Sequence, residues 1–207
     1  NNILIYEMYG ASEVGTIASI NFKRNKKKIT SVGKAYSNIK LKILSENGNF
    51  CKFNEIGEIV CESKMLFDGY LSLYKKEIYL FKNKYFKTGD LGYLDRKGFL
   101  YYVGRKKNVI KKSGYMIYPE EIENKIVKIK NVKEISVQGI FVENISNEKI
   151  IYFVILNEDN KINRDNFRVK ILQVLNHIQL PDKIIFLKEI PKTSLGKIRK
   201  PALIKLI

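Results

Sequence analysis

Residues 88–123, TGDLGYLDRKGFLYYVGRKKNVIKKSGYMIYPEEIE, hold the pattern around which the rest of the chain is arranged. The stretch opens with Thr88-Gly89-Asp90, which reads as a tight turn carrying an acid, because small and Asx-type residues favour turns. Tyr93-Leu94 and Phe99–Val103 flank Asp95-Arg96-Lys97-Gly98, the signature of a β-hairpin. That hairpin delivers the chain to Gly104-Arg105-Lys106-Lys107. A second glycine turn follows at Ser113-Gly114, and Pro119 then suits the first turn of a helix. Glu120, Glu121 and Glu123 complement the positive end of that helix. A β element that ends on an arginine, crosses a short basic link and restarts as a separate βα unit implies a joint between two bodies. The boundary is read at 104/105, giving parts 1–104 and 105–207.

Upstream of the joint the pattern is short strands with turn punctuation. Ile3–Glu7 is an apolar run typical of a strand buried on both faces, closed by a turn over 9–15, and no parallel neighbour is in sight. The sheet it should join is therefore expected before residue 1. Lys40–Leu44 and Glu58–Glu62 read as strands, and Tyr79–Phe81 with Tyr85–Lys87 as a hairpin around 82–84. Short antiparallel strands at this spacing predict a distorted antiparallel β-barrel. Downstream, Ile122, Ile126 and Ile129 give the helix an apolar face. Strands are expected at 132–142 and 149–156 around a polar loop over 143–148, and at 183–187. A helix is expected over 164–176, capped by Asn163, with a last helical turn over 201–207. Helices on one side of one sheet make the class α+β.

The totals narrow the options. The 207 residues are enough for one domain or two small ones, and no apolar run is long enough to span a membrane. Cys51 and Cys61 are the only cysteines, too few for a disulfide scaffold, and predict reduced thiols in a cytoplasmic protein. His177, the single histidine, is expected on the surface. The net charge of +17 raises nucleic acid as a partner, but the lysines are scattered and no nucleic-acid motif is present. A specific nucleic-acid role is not expected. Attraction for polyanionic small molecules is.

Four short motifs carry polar groups suited to chemistry. In Tyr9-Gly10-Ala11-Ser12-Glu13 the tyrosine suits stacking on a base, the hydroxyl a phosphate, and the glutamate a hard cation. Asp90 can accept two hydrogen bonds at once, as the vicinal hydroxyls of a ribose require. The planar fork of Arg105 suits an oxyanion. Pro191-Lys192-Thr193-Ser194-Leu195-Gly196-Lys197-Ile198 presents one lysine on a turn, a means of bringing a point charge to a phosphoryl group. Each motif alone equally fits a plain turn or a solvated loop; the argument rests on four in this order.

The ordered set YGASE, TGD, GRKKNVIKKSGYMIYPEEIE and PKTSLGKI resembles the C-terminal part of the acyl-adenylate-forming superfamily, across essentially the whole chain. That superfamily includes acyl-CoA synthetases, luciferases and the adenylation domains of peptide synthetases. Gly114-x-x-Ile-Tyr-Pro-x-Glu-Ile-Glu is similar to acyl- or aryl-CoA ligases, and the overall style to bacterial fatty acid–CoA ligases. The resemblance implies a barrel-like end of a large N-terminal domain followed by a small mobile C-terminal domain. It implies a carboxylic acid, ATP, Mg²⁺ and CoA, or a carrier-protein thiol, as reactants. Tyr9 would stack on adenine beside Gly10, Ser12 would face phosphate and Glu13 would hold Mg²⁺. Asp90 would bind the ribose, with Arg105 close by. Lys197 would bridge the attacking carboxylate and the α-phosphate. Lys107 would be the hinge that withdraws Lys197 and brings Ser113-Gly114 to the thiol for the second half-reaction.

Three departures from the family pattern stand out: Ser12 for threonine, Asn108 for aspartate beside the hinge, and Lys200 for arginine. None removes a charge assigned to catalysis. The family's phosphate loop and most of its acyl pocket are not in this sequence, so the 207 residues alone are expected not to form acyl-adenylate. Two rival readings are a degenerate module that binds nucleotide or a partner without chemistry, and a basic nucleic-acid binder.

Overall fold

The computed structural model describes residues 3–71, 76–77, 80–81, 84–142, 147–157 and 164–207. Two compact units divide the chain, Asn1–Lys107 and Asn108–Ile207, three residues beyond the boundary read from the sequence. Arg105 and Lys106 are tied into the first unit by ion pairs to Asp90 and Glu58.

In the first unit β1 (Tyr6–Ala11), β2 (Gly15–Asn21) and β3 (Lys34–Ala35) form one antiparallel sheet. β4 (Ile39–Leu44) and β5 (Gly57–Ser63) begin a second. The short β6 (Tyr70–Leu71) and β7 (Lys76–Glu77) pair with each other. β8 (Leu80–Phe81), β9 (Tyr85–Leu94) and β10 (Leu100–Arg105) complete the second sheet in the order β10-β9-β5-β4, with β8 also on β9. A bridge between Gly33 and Leu100 joins the two sheets. Among the described residues the strands form open sheets and do not close into a barrel. The core between them gathers Ile17, Ile43, Ile59, Phe86 and Leu100. Cys51 and Cys61 are free thiols, and burial pushes Cys61 up to about 11.

Two expectations change here. The first strand is Tyr6–Ala11, paired antiparallel with β2, and Ile3, Leu4 and Ile5 before it are exposed. Thr88-Gly89-Asp90 is not a turn between strands but lies inside β9. There β9 advances four residues, Lys87 to Leu91, while β5 advances two, Glu58 to Val60. The surplus is taken up by a bulge with Gly89 at φ +73, a conformation glycine adopts without steric cost.

In the second unit β11 (Ile110–Lys112) and β12 (Tyr115–Ile117) form a hairpin across Ser113-Gly114. Both turn residues have positive φ, +51 and +81, as a two-residue hairpin turn requires. Helix α1 (Pro119–Ile126) follows, then β13 (Val132–Val142) and β14 (Asn147–Leu156), antiparallel to each other. Helix α2 (Arg164–Val174) crosses over to β15 (Lys183–Phe186), which lies parallel to β14, and α3 (Lys200–Ile204) ends the chain. The expected loop over 143–148 is shorter because Asn147 and Glu148 belong to β14; residues 143–146, 78–79 and 82–83 and the expected cap Asn163 lie outside the described residues.

The run Ile150–Ile155 explains how this unit is layered. Ile150, Tyr152 and Val154 point into a cluster with Ile122 and Ile126 of α1 and Phe167 and Ile171 of α2. Ile151, Phe153 and Ile155 point the other way, onto Ile190 and Leu203. A strand with no polar face must be covered twice, at about 1.5–3 kcal/mol of burial per large side chain. The sheet therefore carries α1 and α2 on one face and the C-terminal segment with α3 on the other, where the sequence suggested helices on one side only.

Candidate functional site

The bulge in β9 turns the Asp90 side chain inward, where the residue is 4% exposed. The Thr88 hydroxyl accepts the Asp90 N–H at 3.1 Å and donates to the Ile59 carbonyl at 2.8 Å, which fixes the bulge from both sides. Tyr9, from β1, donates its hydroxyl to Asp90 Oδ2 at 2.8 Å. Arg105, opposite Asp90 in the β9–β10 ladder, places Nε 2.8 Å from Asp90 Oδ1. A buried carboxylate costs several kcal/mol unless it is paired and hydrogen-bonded, and here Oδ2 accepts the Tyr9 hydroxyl while Oδ1 faces the Arg105 guanidinium as an ion pair. Burial, against the carboxylate of Asp90, raises the Tyr9 phenol well above its usual range, so it stays a neutral donor.

A carboxylate has about four lone-pair sites, so one oriented by two protein donors can still accept a pair of hydroxyls. The Tyr9 ring is itself buried. Beside it, at 6.2 Å between centroids and tilted by 39°, lies the ring of Tyr102, a residue 38% exposed. Tyr102 escaped the sequence reading because it sits in the aromatic run Phe99–Tyr102 with nothing local to single it out. Only the pairing of β10 with β9 brings it to this cluster.

Gly10 follows Tyr9 at a register shift in the β1–β2 ladder, and a Cβ there would lie 2.3 Å from the Gly15 carbonyl oxygen. No other residue fits without moving the hairpin. Ser12 and Glu13 occupy the loop of that hairpin, Ser12 exposed and Glu13 partly so, with the Glu13 carbonyl accepting the Phe67 N–H at 2.8 Å. Among the described residues no three His, Cys, Asp or Glu side chains cluster as a metal cage.

The remaining candidates belong to the first unit's end and the second unit. Lys107 is exposed and is the last residue of the first unit. Ser113 and Gly114 form the exposed tip of the β11–β12 hairpin. Lys197 is exposed on a small closed loop, where Thr193 N–H donates to the Lys197 carbonyl at 2.8 Å and Lys192 bridges Ile198. Asn108 donates to Glu120 Oε1 at 2.9 Å. Glu123, on α1, accepts the Val137 N–H from the edge strand β13 at 2.7 Å. Burial raises its carboxyl to about 7, with Glu120 adding to the rise and the Val137 N–H and Lys200 opposing it. The structure thus brings Tyr9, Asp90 and Arg105 into one cluster and sets Ser113, Gly114 and Lys197 in the other unit.

The family described as AMP-binding enzyme matches residues 1–71, and the AMP-binding enzyme C-terminal domain matches residues 121–197. The chain belongs to the AMP-binding enzymes. Within that family it is 31% identical over 202 residues to a long-chain-fatty-acid–CoA ligase of Bacillus subtilis, covering 97% of this chain and 36% of that one. It is similar to ATP-bound MatB from Rhodopseudomonas palustris, with a TM-score of 0.86 and 25% identity over 98% of this chain and 40% of the other. It is also similar to the o-succinylbenzoate CoA synthetase of Bacillus subtilis in complex with its acyl-adenylate intermediate, with a TM-score of 0.85 and 26% identity over 97% and 41%. The chain spans little more than a third of the length of the curated relative. Its α+β architecture is that of adenylate-forming enzymes.

Proposed function

We propose that this chain forms the C-terminal part of an AMP-forming acyl-CoA synthetase. Such an enzyme joins a carboxylic acid to ATP, giving acyl-AMP and pyrophosphate, and then passes the acyl group to the thiol of CoA. The observation that supports this best is the Asp90 carboxylate, buried, held by Tyr9 and Arg105 and adjoined by the half-exposed Tyr102 ring. Asp90 offers its remaining lone pairs to the two ribose hydroxyls, and the Tyr102 ring, backed by Tyr9, takes the adenine. Arg105 pairs with Asp90 and adds positive charge beside the nucleotide. Ser12 faces a phosphate.

Glu13 fits Mg²⁺ in one specific way. It is a single carboxylate on an exposed loop without a three-ligand cage among the described residues. Magnesium is commonly held by one or two carboxylates together with substrate phosphates, and Glu13 supplies the protein's share of such a site. The ion, when bound, neutralises phosphate charge.

Lys197 brings its ammonium to the acid carboxylate and the α-phosphate, where negative charge develops in the first half-reaction. One site cannot hold this lysine and the incoming thiol together. Lys107 is the pivot about which the second unit exchanges Lys197 for the Ser113-Gly114 turn. The first unit, with its open sheets, is then the end of a larger domain. We favour a fatty or other lipophilic acid as substrate and CoA over a carrier-protein thiol as acceptor, on the Gly114-x-x-Ile-Tyr-Pro pattern. The free thiols Cys51 and Cys61 suit a cytoplasmic enzyme.

ATP–pyrophosphate exchange measured over a panel of acids tests this reading. Acid-dependent exchange by the full-length enzyme, with acyl-CoA formed on adding CoA, is the expected result. Nucleotide binding without exchange for any acid would favour a non-catalytic module. The 207 residues alone are expected to give no exchange.

A further inference from the structure

Lys197 can serve a phosphoryl group only if its loop is aimed; Ile190 and Ile198 seat the two ends of the loop on the sheet, but the tip between them is unpacked. Leu195, beside it in the loop, is 84% exposed, and Gly196 turns the chain at φ +79. The base of the loop is closed by hydrogen bonds from Arg199 N–H to the Pro191 carbonyl and from Gly196 N–H to the Thr193 carbonyl, at 2.8 and 2.9 Å. These bonds set the loop's internal shape but not its direction relative to the sheet. Behind the base lies a cavity of about 550 Å³, lined on one side by Glu134 and Ile155 and on the other by Ile190, Pro191 and Lys192.

A side-chain tie spans this gap. Lys192 Nζ lies 2.8 and 2.9 Å from the two carboxylate oxygens of Glu134, with the side chains 42% and 27% exposed. Glu134 follows a bulge in β13, since Val132 pairs with Leu156 and Glu134 with the next residue, Ile155. A bulge re-aims the side chains beside it. We propose that Glu134 is a positioning residue for Lys197, acting through Lys192 to hold the loop in the orientation that adenylation needs. This deepens the adenylation reading and rests on it.

The test uses the full-length enzyme with Glu134→Gln, Lys192→Met and the reversed pair Glu134→Lys/Lys192→Glu. The readouts are pyrophosphate exchange, thioester formation from supplied acyl-AMP, and thermal unfolding. Misplacing a reacting group by about 1 Å can cost a hundredfold. Glu134→Gln and Lys192→Met are therefore each expected to lower kcat for exchange about tenfold or more, with KM for ATP within about twofold. Thioester formation and the unfolding temperature stay near wild type, and the reversed pair regains most of the exchange. Normal exchange in the single variants overturns the proposal, as does a parallel fall of both half-reactions or a reversed pair no better than either single variant. If Lys197→Ala itself keeps wild-type exchange, the adenylation reading falls first. A dead Lys197→Ala beside a normal Glu134→Gln removes only the positioning role.

Discussion

Asp90 and Lys197, the two charged groups on which the proposed chemistry turns, are held in opposite ways. Asp90 lies in a bulge inside a ten-residue strand, is 4% exposed, and is held by the Tyr9 hydroxyl on one oxygen and the Arg105 ion pair on the other. Lys197 is exposed on a hairpin loop tied to the sheet by the Lys192–Glu134 pair and packed only at its ends through Ile190 and Ile198, with Thr193 Oγ1 accepting the Lys197 N–H at 3.2 Å. A group that must present the same face to a nucleotide throughout a cycle gains from burial and fixed donors. A group that must arrive and leave gains from an exposed loop, because leaving then strands no buried charge. Function and stability should therefore be coupled at Asp90 and separable at Lys197.

The largest effect expected is at the separable end. Lys197→Ala should lower acyl-adenylate formation by at least about a hundredfold, as loss of a transition-state charge contact does, and largely spare thioester formation from supplied acyl-AMP. Its unfolding temperature should stay within about a degree of wild type, since surface substitutions usually change stability by less than about 0.5 kcal/mol. Equal loss in both half-reactions would break the contrast.

Asp90→Ala sits at the coupled end. It strands the buried Tyr9 hydroxyl and releases Arg105, so it should destabilise the first unit by about 1–3 kcal/mol and weaken nucleotide binding together. Calorimetric titration with ATP and denaturant unfolding check the pair of effects. Weak binding at full stability would place Asp90 nearer the Lys197 kind.

Glu123→Gln sharpens the comparison from a third position, a partly buried acid. Its carboxyl is raised to about 7, above the usual glutamate value of 4.5, so the folded state binds more protons than the unfolded state between these pH values. The stabilising effect of the protonated form is complete below about 4.5 and lost as pH rises to about 7. Glutamine keeps an acceptor for the Val137 N–H without the charge. The variant should unfold several degrees above wild type at pH 8, for a shift worth at most about 3 kcal/mol, and the gap should close near pH 4.5. Asp182 titrates in the opposite sense. Burial would raise it, but Lys112 and the Ile150 N–H hold it below its usual range, so only the difference from wild type isolates Glu123.

The smallest effect expected is at Asn108, which donates to Glu120. Asn108→Asp removes the donor and sets two carboxylates together, at a cost of about 1 kcal/mol. The loss should appear as a small fall in unfolding temperature that added salt reduces, because screening weakens the repulsion between exposed charges.

Local sequence was sufficient for several elements. Pro119 followed by glutamates, and the spacing of Ile122 and Ile126, specify α1 because capping and helical period act within a few residues. Ser113-Gly114 specifies a turn because glycine takes positive φ without steric cost, while the pairing of β11 with β12 that makes it a hairpin came from the structure. The motif order named the family for the same reason, since each motif is a short stretch of backbone with its own local demands.

Other features needed the tertiary fold. Thr88-Gly89-Asp90 has the composition of a turn, and only pairing with β5 makes it a bulge within a strand. Tyr102 joins Tyr9 across strands 93 residues apart in the chain, and Glu134 meets Lys192 across 58. The second apolar face of β14 finds its cover in Ile190 and Leu203, far along the chain. Periodicity states which residues must be buried and which turns the backbone can make. It carries no information on which distant strand supplies the partner, because that is decided by the summed packing of whole faces.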